Sequence, residues 1–399
     1  MIKIQEKINI PQGWEENKLL DCLHVPSKLA GIKLSEYKEE GDFPVFDQGQ
    51  NYISGYSSKK ELLINNVPAI LFGDHTRVVK YIKRPFVAGA DGTKIFWAKD
   101  NFDPAFLYYL ILNQKIPNTG YNRHFKFFKD IKVIIPRSKT EQQKIAEILG
   151  AVDEDIAKTQ NVIEATEKLK KGLMQELFTR GIGHNKFKKT KLGEIPEEWE
   201  TTTIKNSSIE LIDGDRGANY PKQKDFSLDG YCLFLSAKNV SKNGFVFNET
   251  SFISQKKDNI LRKGKLKRGD IILTSRGTVG NVAYYSENIP FENIRINSGM
   301  LIIRHGKQFD PIFLYKYFSS PQMKSKYLSM GSGSAQPQLP VGSFELTEIP
   351  ILPIVEQQRI AEILSAVDEK INVNKKLKIK LTKLKKGLMQ DLLSGEVRV

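Results

Sequence analysis

Cysteine is nearly absent: Cys22 and Cys232 are the only two in 399 residues. They stand far apart in unrelated contexts, so neither a disulfide framework nor a clustered zinc site is written here. The five histidines are scattered and make no HxxxH or HExxH spacing. No segment comes near the roughly 18 consecutive apolar residues of a membrane helix. The opening MIKIQEKINIPQGW lacks the apolar core, about 7–15 residues, of a secretory signal. These absences lead us to expect a reduced, soluble, cytoplasmic protein with no membrane contact.

Catalytic signatures are missing too. There is no GxxxxGK[ST] phosphate loop and no strand-linked GxGxxG. There is no [DN]PP[YF] tetrapeptide, with which amino-methyltransferases hold a target base, and no PD…(D/E)xK nuclease cluster at persuasive spacing. Asp213 and Asp215 stand close together, but Asp and Gly are ordinary turn formers. The chain is expected to be a binder with no catalytic residue, metal site or cofactor site of its own.

Positive charge is what it has in excess. Lys and Arg number 61 against 46 Asp and Glu, for a formal net charge of +15 and a pI of about 9.4. Such an excess favours a polyanionic partner, most simply nucleic acid. At roughly 150 residues per domain the length allows two to three domains. With 40% hydrophobic residues these can bury real cores.

The chain also says one thing twice. Glu141–Ile182 and Glu356–Val397 align without a gap at an offset of 356 − 141 = 215, and 22 of the 42 pairs are identical. Around them the likeness is weaker: IPQGWE (Ile10–Glu15) echoes IPEEWE (Ile195–Glu200), and FDPAFLYYL (Phe102–Leu110) echoes FDPIFLYKY (Phe309–Tyr317). A duplicated unit implies pseudo-twofold symmetry. Ile145, Leu149, Val152, Ile156, Ile163, Leu169, Leu173 and Leu177 keep a near-heptad stripe. Ile360, Leu364, Val367, Ile371, Leu377, Leu381, Leu384, Leu388 and Leu392 do the same. Two such stripes are most simply buried on each other as an antiparallel coiled coil, with Thr159 and Asn374 as register-fixing polar interruptions. Thr140 is the expected N-cap of the first helix, and Asp103 and Asp310 cap short helices that open on proline. The run Lys375–Lys386 reads as a solvated face, with a DNA or partner contact as the alternative.

The expected fold is therefore α+β: two globular mixed α/β domains separated by two long antiparallel helices. The boundaries are 1–138 for the first domain, 139–182 for the central helix, 183–353 for the second domain and 354–399 for the C-terminal helix. The globular parts carry loops suited to reading bases, since Asn and Gln match adenine and Arg and Lys match guanine. In the first, these are Gln48, Gln50, Asn51 and Lys59, then His75 and Arg77, then Tyr121, Asn122, Arg123 and Lys126. In the second, they are Arg216, Asn219, Tyr220 and Lys222, then Lys238 and Asn239, then Ser275 and Arg276. The loop GSGSAQPQLP adds Ser332, Ser334, Gln336 and Gln338.

The chain resembles the DNA-specificity subunits of type I restriction-modification systems over its whole length. The resemblance rests on LGEIPEEWE (Leu192–Glu200), GDIILTSRGTVG (Gly269–Gly280), GSGSAQPQLP (Gly331–Pro340) and the twice-present EQQ(K/R)IAEIL…AVDE…LKKGLMQ(E/D)L. The first domain departs from it, with FGDHTRVVK for LTSRGTVGN and NRHFKFFKD for the SGSAQPQLP type of loop. The resemblance implies two target-recognition domains, each reading one part of a bipartite site on double-stranded DNA, with the helices as a spacer. It implies two docked methyltransferase subunits and associated restriction subunits, with S-adenosylmethionine, ATP and Mg on those partners. Half-sites about one helical turn apart would suit such a spacer. Glu141–Leu149, Glu356–Leu364 and both LKKGLMQ segments are the expected docking surfaces.

Overall fold

Each repeated segment becomes one long helix, Lys139–Thr179 and Ile354–Ser394 in the computed structural model, which describes residues 10–27, 29–331 and 338–399. Neither helix has an internal proline after its opening turn, and both are rich in Leu, Lys, Glu and Gln, which lose little rotamer freedom in a helix. Ser138, not Thr140, caps the first: its Oγ accepts the Glu141 N–H at 3.3 Å, because the helix already begins at Lys139. Both helices stop just before a glycine with positive φ, Gly181 (+64°) and Gly395 (+74°). A Cβ at Gly181 would meet the Trp199 ring at 2.6 Å, and one at Gly395 would meet Pro11 at 2.7 Å. Glycine is thus required there by conformation and by space.

The chain divides into two compact units, Met1–Asn161 with Lys375–Val399, and Val162–Asn374. Each unit takes half of each long helix. In the first, Asp153 pairs with Lys385 at 2.6 Å, and Gln160 accepts from Lys378 at 2.8 Å. Numbers rise along one helix as they fall along the other, so the halves run antiparallel. In the second, Lys170 pairs with Asp368 at 2.6 Å and Glu356 accepts the Ile182 N–H at 2.9 Å, again antiparallel. The expected stripe is not all core. Leu169, Leu377 and Leu384 are exposed. Thr159 and Asn374 bond to carbonyls one turn back on their own helices, Asp155 and Lys370.

The two units share one sheet plan although their sequences have drifted apart. The first has a four-stranded antiparallel sheet in the order Leu23–His24, Thr93–Ala98, Ala69–Gly73, Val79–Ile82. The second has Glu210–Asp213, Met300–Arg304, Ile271–Thr274, Val282–Tyr284 in the same sense. Each adds a three-stranded sheet with one parallel pairing, Phe43–Phe46 with Val87–Ala88 and Cys232–Leu235 with Ile294–Ile296. The central strands Ala69–Gly73 and Ile271–Thr274 are buried throughout, which is why they read as continuous apolar runs instead of alternating ones. Asp103 and Asp310 cap their helices as expected, accepting from Phe106 and Phe313 at 2.8 Å.

The repeated helix ends complete the cores. Met389, Leu392 and Leu393 pack with Trp14, Ile145 and Leu149 in the first unit. Met174, Leu177 and Phe178 pack with Trp199, Ile360 and Leu364 in the second. The EQQ motif fastens the result. Glu141 accepts the Trp14 indole N–H at 3.3 Å, and Glu356 that of Trp199 at 3.0 Å. The buried amide of Gln142 accepts from the Asp103 N–H and donates to Pro136 O. That of Gln357 accepts from Asp310 and donates to Leu352 O. Arg398 holds Glu141 in one unit, and His184 sits 2.9 Å from Glu356 in the other. Cys22 and Cys232 are buried and free, and burial pushes each thiol up to about 12.

Candidate nucleic-acid interface

In the first unit three of the sequence-predicted loops converge at the end of Ala69–Gly73. The turn after this strand is bolted from both sides. The Gln48 side chain accepts the His75 N–H at 3.0 Å, and the Gln48 carbonyl accepts the Thr76 hydroxyl at 2.6 Å. On the other side, Asp74 O accepts the His124 N–H at 2.8 Å and Asp74 Oδ1 accepts the Phe125 N–H at 2.8 Å. Arg77, with φ of +62°, donates to Ile116 O at 3.2 Å. Buried Lys80 donates to Asn51 O and lies 3.8 Å from Asp47. Burial lowers its ammonium pKa, against the pull of Asp47. Gln48 and Arg77 are thus bolts, while Gln50, Asn51, Tyr121, Asn122, Arg123 and Lys126 present exposed side chains. The Asn122 amide donates to Thr119 O, and Lys126 lies over the Phe127 ring. His75 stacks on Tyr121, and Lys59 is paired with Glu36.

The second unit builds the same junction with other side chains. Ser275 O accepts the Leu339 N–H at 2.9 Å, just as Asp74 O accepts from His124. Leu339 therefore occupies the place of His124, and Arg276 corresponds to His75. The Ser275 and Arg276 N–H groups both donate to Gly299 O, at 2.8 and 3.2 Å. Arg276 is half-buried and bridges to exposed Gln338. Arg216 reaches Asp213 at 3.2 Å and Ser298 O at 3.4 Å. Asp215 is buried and accepts from the Gly217 and Arg262 N–H groups at 2.9 and 2.7 Å. These bonds hold its carboxyl below the usual range. Asp213, Arg216, Arg262 and Lys263 line a cleft of about 250 Å³ beside this turn.

Comparison with known proteins decides what this arrangement belongs to. The family model described as the type I restriction modification DNA specificity domain matches residues 11–167 and 196–383. The chain belongs to this family. It is 30% identical to the putative type I restriction enzyme MjaX specificity subunit of Methanocaldococcus jannaschii, covering 98% of this chain and 95% of that one. It is 28% identical to the MjaVIII specificity subunit of the same organism, with the same two coverages. Its fold is similar to that of the S subunit of a type I restriction-modification system from M. genitalium, with a TM-score of 0.62 at 18% identity over 98% of both chains. The family supplies the DNA-recognition component of its systems and not their catalyst.

Within this specificity fold the remaining candidates fall into two groups. Asn219, Lys222 and Lys238 are exposed, the last paired with Glu249 at 2.8 Å. Tyr220 packs edge-on against Phe234. Asn239 is buried and spends its amide on Ser236, Val246 and Glu249, and Ser275 is buried. Ser332, Ser334 and Gln336 lie outside the described residues. Sequence reasoning missed Arg262, Lys263 and the Asn297–Ser298 turn, which lie far along the chain from Arg216 and carry no local motif. Among the described residues no group of three or more His, Cys, Asp or Glu could hold a metal. No described helix is long and apolar enough to cross a membrane.

Proposed function

We propose that each unit reads one part of a bipartite, asymmetric DNA site, and that the chain thereby directs adenine methylation and restriction by partner subunits. The observation that carries this reading is the junction shared by the two units: one backbone plan, with His75, Tyr121 and Arg123 at one tip and Arg276 and Gln338 at the other. Duplicated scaffolds with divergent tips are what two different half-sites require. Two continuous helices shared by the units hold the spacing.

The repeat also marks where identical partners dock. Core packing accounts for the identity of Ile145 with Ile360 or Met174 with Met389. It does not account for the exposed identities Gln143/Gln358, Glu147/Glu362, Glu154/Glu369, Lys168/Lys383, Leu169/Leu384 and Gln175/Gln390. Beside Leu169, residues Ala165, Gly172 and Leu173 line an open apolar groove of about 510 Å³. Two equivalent faces suit two methyltransferase subunits. Part of the expected docking surface is already occupied within the chain, since Glu141, Gln142, Ile145 and Leu149 are spent on closing the first unit. In this reading S-adenosylmethionine, ATP and Mg belong to the methyltransferase and restriction subunits, and the complex works in the cytoplasm, where the DNA is.

The test is selection of duplexes from a random pool by the full-length chain. The expected result is a two-part motif with a fixed gap. Arg276→Ala should relax one part and leave the other. Enrichment of no motif would overturn the reading.

A further inference from the structure

Tyr121 leaves 81% of its surface in solvent. Its ring lies face to face on that of His75, with centroids 4.5 Å apart and planes 9° apart. A flat stack covers one face of each ring, so the outer face of Tyr121 is bare while its inner face is braced. The brace is itself anchored, because the His75 N–H is held by Gln48 and the turn by Thr76. His75 Nδ1 is covered and has no hydrogen-bond partner among the described residues. The fold keeps this ring although a buried, unpaired nitrogen is unfavourable, so what it supplies is a backing surface. Exposed Arg123 and Lys126 follow on the same loop and favour an anionic ligand. At the equivalent junction the second unit has Arg276 and Gln338, which offer hydrogen bonds and no aromatic face.

We propose that the free face of Tyr121 stacks on a DNA base at a step that the first unit opens. This rests on the reading of that unit as a DNA reader. Inside an intact duplex both faces of every base are covered by neighbours. A protein ring reaches a base face only where the stack is parted or a base is turned out. The first unit then recognises its half-site partly by how readily one step unstacks, whereas the second reads by donors and acceptors.

The experiment measures binding of the full-length chain to a duplex carrying the selected motif, for the wild type, Tyr121→Ala, Tyr121→Phe and Arg276→Ala. A base–aromatic stack implies a loss of about 10- to 100-fold for Tyr121→Ala. Tyr121→Phe keeps the face and should stay within about twofold. A single mismatch walked through the first half-site should tighten wild-type binding at one step, where opening no longer costs stacking energy, and should leave Tyr121→Ala unchanged there. Wild-type affinity for Tyr121→Ala, with Arg276→Ala still weakened, would overturn the stacking role and leave DNA reading intact. Equal losses for Ala and Phe would overturn it in favour of the hydroxyl. No change in either Tyr121→Ala or Arg276→Ala would remove the DNA reading and this inference with it.

Discussion

The two units close in the same way and end differently. In both, a tryptophan gives its indole N–H to the glutamate of EQQ, a buried glutamine fastens the Asp-Pro turn, and an aspartate on the helix meets a lysine from the helix running the other way. At the far end, the backbone bond from the His124 N–H to Asp74 O is matched by that from the Leu339 N–H to Ser275 O, but the side chains differ: His75 and Tyr121 stand at one junction, Arg276 and Gln338 at the other. Residues that close the core answer to packing and to buried polar groups that must be satisfied. Exposed side chains at the tips answer to what they touch outside. Duplication preserved the first set and released the second.

The widest separation between closure and tip should appear on removing a closing residue. Trp199 is fully buried, and Trp199→Ala should cost the second unit about 3–5 kcal/mol, seen as an earlier urea transition. Arg276→Ala should leave that transition in place. It should instead cost about 1–3 kcal/mol of binding to the cognate duplex, with specificity relaxed in one half-site only.

The aspartate–lysine bolt allows a pH test. Burial alone would raise the Asp368 carboxyl, but hydrogen bonds from Lys170 and Lys316 outweigh it and hold the carboxyl below its usual value. A depressed carboxyl contributes stability that is fully present above its unfolded value, near pH 4, and lost as pH falls through the lower folded value. Asp368→Asn should therefore be less stable than wild type by about 2 kcal/mol at pH 7. The difference should shrink below about pH 4. A gap unchanged into acid would show that the pair adds no charge-dependent stability. The smallest stability effect is expected at an outward-facing repeat residue. Leu169→Ser should change unfolding by less than about 0.5 kcal/mol, yet weaken co-purification with a methyltransferase subunit. Unimpaired assembly would remove this groove from the docking surface.

Much of this plan was legible in the residues themselves. The repeat announced the long helices, and Asp103-Pro104 and Asp310-Pro311 announced the caps of two short ones. Three predicted loops of the first unit do meet. What could not be read was which way each polar side chain turns. Gln48 and Gln50 are alike in sequence, but Gln48 is claimed by a backbone N–H 27 residues away and Gln50 faces solvent. Asn239 and Ser275 are likewise spent inside. Strand order escaped as well, since it depends on pairings remote in sequence, and so did the closing of the first unit by the C-terminal helix. That partner, at Met389 to Arg398, begins 389 − 14 = 375 residues beyond Trp14, and no local pattern marks it.

The most direct test of the central claim is single-molecule adenine-methylation sequencing of a plasmid from cells carrying this chain with a cognate methyltransferase subunit, against cells lacking the chain. The account predicts a new bipartite asymmetric motif, methylated once on each strand, of which only one part changes in an Arg276→Ala variant. A folded and bound methyltransferase that leaves no new motif, or a variant that alters both parts together, would contradict the claim that two independent readers sit on one duplicated frame.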